Sequence, residues 1–331
     1  MKQLLQTLTQ IPAPSGREDE LRAAVQKMIQ PYADEVRVDA LGNLIARKGK
    51  KAKDGKRIML AAHLDEVGVI VSHVDARGFA RISPLGGFAP HRKVGMRVRF
   101  LNGARGVIGL ERDAEQKERV PGMDRFFIDT GARNQVSNPP VKVGDVAVFD
   151  AEFQDLGDRI IGRALDDRIG VALLIESLTR LKSGRNEIWY VFTVQEEVGA
   201  RGAGPASYGI DPEIGLAVDV TIANDTPNTR QRNPLALGGG PAIKLKDAGV
   251  VADPRLVEML TRAAEENRIP HQFEIAEGVA SDARAMQLTG LGAQAGGIAI
   301  PLRYLHSPSE MIDMTDVNNA GRLLAAFLRE A

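Results

Sequence analysis

The chain changes its pattern twice, and this arrangement constrains the fold more than any other feature of the sequence. Before about residue 67 and after about residue 163, helical and strand patterns alternate. Between these limits, short stretches typical of β-strands, such as Val69–Val71 and Arg97–Phe100, are separated by glycine, proline and charged residues, without a helical period. Alternation indicates an α/β domain, whereas closely spaced short strands indicate a small barrel or sandwich. We therefore predict one α/β domain, residues 1–66 and 164–331, interrupted by an inserted all-β, barrel-like domain of residues 67–163.

Hydrophobic periodicity predicts the main elements of the α/β part. In chain order they are strands 44–46 and 58–62, helix 169–181, strands 187–194 and 215–220, helix 254–267, strand 294–300 and helix 315–329. Local signals add detail to this outline. Ser15, with Glu18 three residues later, is typical of a helix N-cap. The basic run Lys48–Lys56 is predicted to be a solvent-exposed hairpin turn, and the polar segment Glu111–Asn138 a mobile loop.

Composition excludes several classes of function. The 331 residues include 43 Lys and Arg and 43 Asp and Glu, so the basic excess of a nucleic-acid-binding surface is absent. The chain has no cysteine, which excludes disulfides, thiolate metal sites, cysteine nucleophiles and iron–sulfur clusters. No apolar run is long enough to span a membrane, and the amino-terminal residues lack the pattern of a signal peptide. We expect a cytoplasmic protein without nucleic-acid or membrane partners.

Five polar or acidic segments each lie just beyond a hydrophobic strand pattern. They are His63-Leu64-Asp65-Glu66, Asp166-Asp167-Arg168, Gln195-Glu196-Glu197, Asp219, and Tyr304-Leu305-His306-Ser307-Pro308. Ligand sites in open α/β sheets form outside the carboxyl ends of the strands. We therefore expect these segments to converge on one site.

Two histidines and several carboxylates, without any thiolate, favour zinc, cobalt or manganese. Asp166, Glu197 and Asp219 carry three negative charges, and a bridging hydroxide would add one more, which together balance two divalent cations. Such a pair of cations lowers the pKa of bound water and stabilises an oxyanion. The remaining carboxylate, Glu196, is a candidate to take and relay the proton.

The same segments occur in a fixed order over the whole chain. In full they read His63-Leu64-Asp65-Glu66-Val67-Gly68, Ala164-Leu165-Asp166-Asp167-Arg168, Thr193-Val194-Gln195-Glu196-Glu197-Val198-Gly199, Ala217-Val218-Asp219-Val220-Thr221 and Arg303-Tyr304-Leu305-His306-Ser307-Pro308-Ser309-Glu310. Together they resemble the TET-type metallo-aminopeptidases, leucyl and glutamyl aminopeptidases that assemble as tetrahedral dodecamers. The resemblance implies a metallo-exopeptidase fold, a mixed-sheet sandwich with helices on both faces. Its inserted β domain would mediate dimerisation and control access to the interior.

The resemblance also implies a set of metal ligands. Asp166 would bridge two divalent metal ions. His63 and Asp219 would complete one site, and Glu197 and His306 the other. Zinc and cobalt are the first expectation for both ions, with manganese as a further possibility.

Other roles follow from the same resemblance. Glu196 would be the general base, Asp65 would orient the ring of His63, and the Asp166–Asp167 peptide would be cis. Two segments depart from the family pattern, Asn224–Asn228 and Gly278–Asp282. Neither contains an expected ligand, so the departures concern the substrate pocket.

The sequence thus predicts a metal-dependent aminopeptidase that cleaves N-terminal residues from short peptides with a free N-terminus. A carboxypeptidase or an N-acyl amino acid deacylase on the same metal scaffold is the first alternative, and an inactive metal-stabilised binding or assembly protein is the second. Glycoside hydrolysis by paired carboxylates is disfavoured because it needs neither His63 nor His306. The other histidines, His73, His91 and His271, are predicted to be surface or packing residues. The preferred N-terminal residue stays open, with Arg230, Arg232 and Lys244 as candidate pocket cations.

Overall fold

A computed structural model describes residues 1–89, 93–111, 122–132, 140–182, 184–229 and 235–331. The helices in these ranges are α1 (Lys2–Gln10), α2 (Asp19–Ile29), α3 (Leu165–Arg180), α4 (Ala203–Ile210), α5 (Pro254–Glu266), α6 (Ala283–Gln287) and α7 (Met314–Glu330). The strands are β1 (Glu35–Val38), β2 (Leu44–Lys48), β3 (Arg57–His63), β4 (Gly68–Val74), β5 (Ala80–Leu85), β6 (Arg97–Phe100), β7 (Arg105–Leu110), β8 (Phe126–Asp129), β9 (Val146–Phe149), β10 (Gln154–Asp155), β11 (Arg159–Gly162), β12 (Glu187–Thr193), β13 (Ile214–Ile222), β14 (Ala242–Lys246), β15 (Gln272–Ile275), β16 (Gln294–Arg303) and β17 (Glu310–Asp313). No helix in the described ranges is long and apolar enough to cross a membrane.

Eleven of the strands form one mixed sheet in the order β1-β2-β12-β3-β13-β16-β17-β11-β10, with β14 and β15 attached beside β16. Its central strands β12, β3, β13 and β16 are parallel to one another, whereas β2 and β17 run antiparallel to their neighbours. Parallel strands in register carry their carboxyl ends to one edge of the sheet. The polar segments that are predicted to converge start at this edge.

Helices cover both faces of this sheet because side chains of its buried strands point alternately to opposite sides. On β3, Ile58 and Leu60 belong to the larger apolar core, which also contains buried residues of α1, α2, α3, α5 and α7. Met59 and Ala61 belong to the core on the opposite face, with Ala206 of α4 and residues of α6. The predicted fold class, a mixed sheet with helices on both faces, is confirmed.

The other six strands close into an antiparallel barrel in the order β4-β5-β8-β7-β6-β9. Its own apolar core includes Val69, Val98, Phe100 and Phe126, all of them buried. The prediction of a separate all-β, barrel-like unit in the middle of the chain is therefore confirmed as part of the fold.

The pairing of strands β10 and β11 indicates where the inserted domain ends. Both precede residue 163, yet β11 pairs antiparallel with β17 of the large sheet, with Ile160 opposite Ile312. Barrel pairing ends at Phe149 of β9. We propose that the carboxyl limit of the inserted domain lies near residue 150, not at 163.

Three local expectations are wrong. The run Lys48–Lys56 is not a hairpin turn, because β12 lies between β2 and β3 and pairs with both. Ser15 does not cap α2; its hydroxyl donates to the carboxylate of Asp65 at 2.6 Å instead. Within Glu111–Asn138, the predicted loop contains barrel strand β8, and residues 112–121 and 133–139 lie outside the described ranges.

Candidate metal centre

Strand register brings three of the predicted site segments to the same level. Thr193 of β12 pairs with His63, the last residue of β3. On the other side of β3, Ala217 of β13 pairs with Ala61, so Asp219, two residues further along, lies level with His63. Glu196 and Glu197 lie three and four residues after Thr193.

Asp166 lies between two imidazole rings. Its Oδ1 is 3.0 Å from Nε2 of His63, and its Oδ2 is 3.3 Å from Nε2 of His306. The same Nε2 atom of each ring also faces a second carboxylate: Asp219 Oδ1 is 3.9 Å from His63 Nε2, and Glu197 Oε2 is 3.2 Å from His306 Nε2. The structure thus places all five predicted ligands in one cluster with Asp166 in the middle.

The backbone at Asp166 gives this side chain its position. Asp166 and Asp167 lie at the start of α3, where their φ/ψ angles are not helical, and the peptide bond between them is cis. Asp167 is fully buried, and its carboxylate accepts hydrogen bonds from the backbone N–H of His63 at 3.3 Å and of Gly170 at 3.0 Å. The two neighbouring aspartates therefore have different roles. Asp167 binds the backbone of His63 and Gly170, whereas Asp166 faces the rings of His63 and His306.

Burial and hydrogen bonding shift the pKa values of the groups in this cluster in different directions. Burial raises the pKa of Asp219 to about 7 and raises that of Glu197 above its usual value. Burial opposes ionisation of Asp166 too, but hydrogen bonds from His306 and His63 outweigh it and lower the pKa. For His306, burial opposes the charged form, but the hydrogen bonds to Asp166 and Glu197 raise the pKa to about 11. Buried carboxylates that crowd together are costly without a compensating cation.

Donor chemistry indicates what such a cation would be. Ligand atoms of His63, Asp166 and Glu197 lie within 4.8 Å of one another, as do those of His63, Asp167 and Asp219. Glu197 Oε1 is buried and has no hydrogen-bond partner among the residues that the structure describes. Imidazole and carboxylate donors, with an oxygen atom left unpaired, fit a first-row divalent metal. In the second group we favour Asp166 over Asp167 as a ligand, because both oxygen atoms of Asp167 already accept backbone hydrogen bonds.

Asp65 forms hydrogen bonds with three residues of this cluster. Its backbone carbonyl accepts a hydrogen bond from Nδ1 of His63 at 3.0 Å. Its carboxylate accepts the backbone N–H groups of Glu196 at 2.9 Å and Glu197 at 3.1 Å. The residue predicted to orient the His63 ring therefore lies against that ring and also holds the strand end that carries the two glutamates.

Glu196, the predicted general base, lines the same cavity as His63, Asp166 and His306. Burial raises the pKa of Glu196 well above its usual value, and the charges of Asp282 and Asp219 raise it further, although His63 opposes them. Its carboxylate makes no ion pair within the described part of the chain. It is therefore free to exchange a proton with a molecule in the cavity.

One buried carboxylate at the site was not singled out by sequence reasoning. Glu310 accepts the backbone N–H of His306 at 2.9 Å through Oε1 and that of Asp166 at 3.2 Å through Oε2. Burial raises the pKa of Glu310 to about 8. Glu310 ends the family-like segment that begins at Arg303, but no role was predicted for it. Its role depends on the distant Asp166.

The cavity above the cluster has a volume of about 650 Å³. Away from the cluster its wall is mainly apolar and includes Val220, Ile222, Val279 and Leu288, with Arg284 as a cation. Val279 belongs to the segment Gly278–Asp282 that departs from the family pattern, so the departure does fall on the pocket wall.

The remaining candidates lie elsewhere. Lys244 is buried away from the cavity, with Nζ 2.8 Å from Glu274 Oε2 and 3.1 Å from Asp247 Oδ2. His73 is exposed on β4, and His271 packs edge-on against Phe273, as predicted for surface and packing residues. His91, Arg230 and Arg232 lie outside the described ranges.

Known proteins resemble this chain in both sequence and architecture. A lysyl aminopeptidase of Pyrococcus furiosus is 35% identical over 99% of the chain and 96% of its own length. The aminopeptidase APDkam598 of the archaeon Desulfurococcus kamchatkensis superposes with a TM-score of 0.94 at 40% identity, covering 100% of this chain and 94% of its own. The TET1 peptidase of Pyrococcus horikoshii, which can assemble into a tetrahedron or a large octahedral shell, gives a TM-score of 0.85 at 31% identity and covers 98% of both chains.

The family comparison agrees with these individual relatives. The profile of the M42 glutamyl aminopeptidases matches residues 42–323, which span every predicted site residue. The resemblance to TET-type aminopeptidases is thereby confirmed. This chain belongs to the M42 glutamyl aminopeptidase family and is an aminopeptidase.

Proposed function

We propose that the protein is a metal-dependent aminopeptidase that removes N-terminal residues from short peptides and uses two divalent cations. The observation that carries this proposal is the position of Asp166, whose two carboxylate oxygens face His63 and His306 on opposite sides. A carboxylate in this position can be shared by two cations. His63 and Asp219 would complete one site, and Glu197 and His306 the other, with zinc or cobalt as the preferred ions and manganese as a further candidate.

Two bound divalent cations would supply an activated water and stabilise negative charge on the carbonyl oxygen under attack. The protein's own contribution starts with Glu196. Burial raises the pKa of the Glu196 carboxylate, so this group is a better proton acceptor than an exposed glutamate. It can take a proton from the attacking water and then give it to the leaving amine. Asp65 keeps Glu196 in place through its backbone N–H.

Water exclusion and substrate selection would come from the cavity. Its volume of about 650 Å³ suits one or two residues of an extended peptide, and its apolar wall would receive the N-terminal side chain. Because the cluster is buried at the base of this cavity, a chain end can reach it but a folded domain cannot. Short peptides with a free N-terminus are the proposed substrates.

A homo-oligomer is part of this proposal. The TET1 peptidase forms a tetrahedron or an octahedral shell, and this chain superposes on its subunit over nearly the whole length. We propose that twelve copies assemble, built from dimers in which the barrel contributes the contact. Enclosed active sites would add a size limit to the substrates.

The test uses purified protein, before and after removal of metal by a chelator. We expect loss of hydrolysis of aminoacyl-nitroanilides on chelation, and recovery after addition of zinc, cobalt or manganese in turn. N-acetylated analogues and peptides blocked at the N-terminus are the matched controls and should not be cleaved. Cleavage of the blocked compounds at a comparable rate would favour a deacylase or a carboxypeptidase instead.

A further inference from the structure

A buried lysine of the barrel contacts one of the predicted metal ligands. Lys93, in the connection between β5 and β6, is 2% exposed. Its ammonium lies 4.7 Å from the centroid of the Phe149 ring and 5.7 Å from that of Phe88. The same ammonium donates a hydrogen bond to the backbone carbonyl of His306. A buried ammonium and a partly buried carbonyl are both costly without a hydrogen bond, so this contact stabilises Lys93 and His306 alike.

His306 needs such support because of its backbone conformation. It has φ +58°, and Tyr304 in the same loop has φ +62°, both in the left-handed region that residues with a side chain rarely adopt. Such conformations persist when surrounding contacts fix them. Glu310 accepts the N–H of His306 at 2.9 Å, and Lys93 donates to its carbonyl. Two buried polar side chains, Glu310 from the large sheet and Lys93 from the barrel, thus hold the two peptide groups of His306.

Two glycines of the barrel bring its backbone against the same residues. A Cβ atom at Gly87 would lie 2.4 Å from Nδ1 of His306. A Cβ at Gly86, which has φ +88°, would lie 3.0 Å from Cβ of Glu197. The barrel therefore forms the wall against which the side chains of both His306 and Glu197 rest.

We propose that Lys93 is a positioning residue through which the barrel sets the geometry of the metal site formed by His306 and Glu197. This inference rests on the proposed function, since it concerns one of the two proposed cation sites. Without the ammonium, the carbonyl of His306 loses its buried charged donor, and the loop can relax from its left-handed conformation. The ring would then move away from Asp166, and the cation at this site would bind less tightly.

The experiment measures metal binding directly. Cobalt is titrated into metal-free wild-type protein and into Lys93→Met, with the visible absorption of bound cobalt as the readout. Lys93→Met keeps most of the apolar stem and removes the charge. We expect wild type to bind two ions, and the variant to bind the first normally and the second about 10-fold to 100-fold more weakly. Lys93→Arg, which can still donate to the carbonyl, should recover most of that affinity.

Control variants separate positioning from general effects. Lys142→Met removes an exposed lysine of the same barrel and should bind cobalt like wild type. Gly87→Ala places a Cβ atom against the His306 ring and should weaken the same site, so it tests the contact between the barrel and His306 if Lys93→Met does not fold. Equal affinity of wild type and Lys93→Met for both ions would overturn the proposed role of Lys93, and equal affinity of wild type and Gly87→Ala would overturn that of the barrel. Wild-type protein that binds no cobalt would instead overturn the proposed metal-dependent function.

Discussion

The carboxylate of Asp65 accepts the backbone N–H of Glu196 at 2.9 Å. This hydrogen bond joins the end of strand β3, which carries His63, to the end of β12, which carries the two glutamates. Asp65 Oδ2 also accepts from Glu197 and from Ser15. One buried carboxylate thus fixes the relative positions of a proposed ligand and a proposed base.

Asp65→Asn should damage the site more than the fold. The amide offers one acceptor oxygen, so one backbone N–H of Glu196 or Glu197 meets a donor. We expect turnover to fall about 10-fold to 100-fold, measured with an aminoacyl-nitroanilide. Ser15→Ala is the control, because it removes one donor to the same carboxylate and should cost about 1 kcal/mol of stability with little change in turnover. Equal turnover of Asp65→Asn and wild type would contradict the proposed role.

Glu196→Gln tests the proposed base. The amide has nearly the shape of the carboxylate but cannot take a proton, so turnover should fall at least about 100-fold while metal content is unchanged. Metal analysis of the same preparation provides the control. Near-normal turnover would remove Glu196 from the mechanism.

Asp316 provides a prediction on pH dependence away from the metal centre. It accepts the backbone N–H groups of Gly238 at 2.8 Å and Gly240 at 2.7 Å, yet burial raises its pKa to about 6. Asp313 raises this pKa further and Arg159 opposes it. Because the folded-state pKa exceeds the unfolded value, the stabilisation is present at low pH and is lost as the pH rises through about 6.

We therefore expect the stability advantage of wild type over Asp316→Asn to shrink between about pH 4 and about pH 7. Urea unfolding of both proteins at the two pH values measures the difference. An advantage that grows over this range would show that Asp316 ionises more readily in the folded state than in the unfolded one.

Glu66 is the anion of a buried ionic group at the base of the barrel. It forms an ion pair with Arg163 and lies 3.3 Å from Nη2 of Arg168. Glu66→Ala leaves two buried guanidinium groups without their carboxylate and should lower the free energy of unfolding by about 3 to 5 kcal/mol. Lys51→Ala, which breaks the exposed pair with Glu213, should change it by about 0.5 kcal/mol or less. Similar effects of both substitutions in urea unfolding would argue against the buried group as a stabilising feature.

Much of the arrangement could be predicted because strand ends are local features. The apolar run before His63 and the one before Gln195 show where two strands stop, and parallel pairing then brings their polar ends to one edge. The α/β pattern on both sides of an all-β middle likewise predicted a barrel within a mixed sheet.

What the sequence could not provide are contacts between distant segments. Lys48–Lys56 has the composition of a hairpin turn, but β12, more than a hundred residues later, lies between the two strands that it connects. Ser15 has the pattern of a cap, yet its hydroxyl binds Asp65, which lies 50 residues away in the chain. In the same way, the sequence around Lys93 does not indicate its hydrogen bond to the backbone carbonyl of His306, 213 residues away.

We propose that two cations share the carboxylate of Asp166 in the working enzyme. Elemental analysis of active, purified protein tests it most directly, with Asp166→Asn and His306→Ala measured alongside. We expect two divalent transition ions per wild-type chain, about one in His306→Ala, and loss of both from Asp166→Asn. A fully active chain without a bound transition ion, or an Asp166→Asn variant that retains both ions, would contradict it.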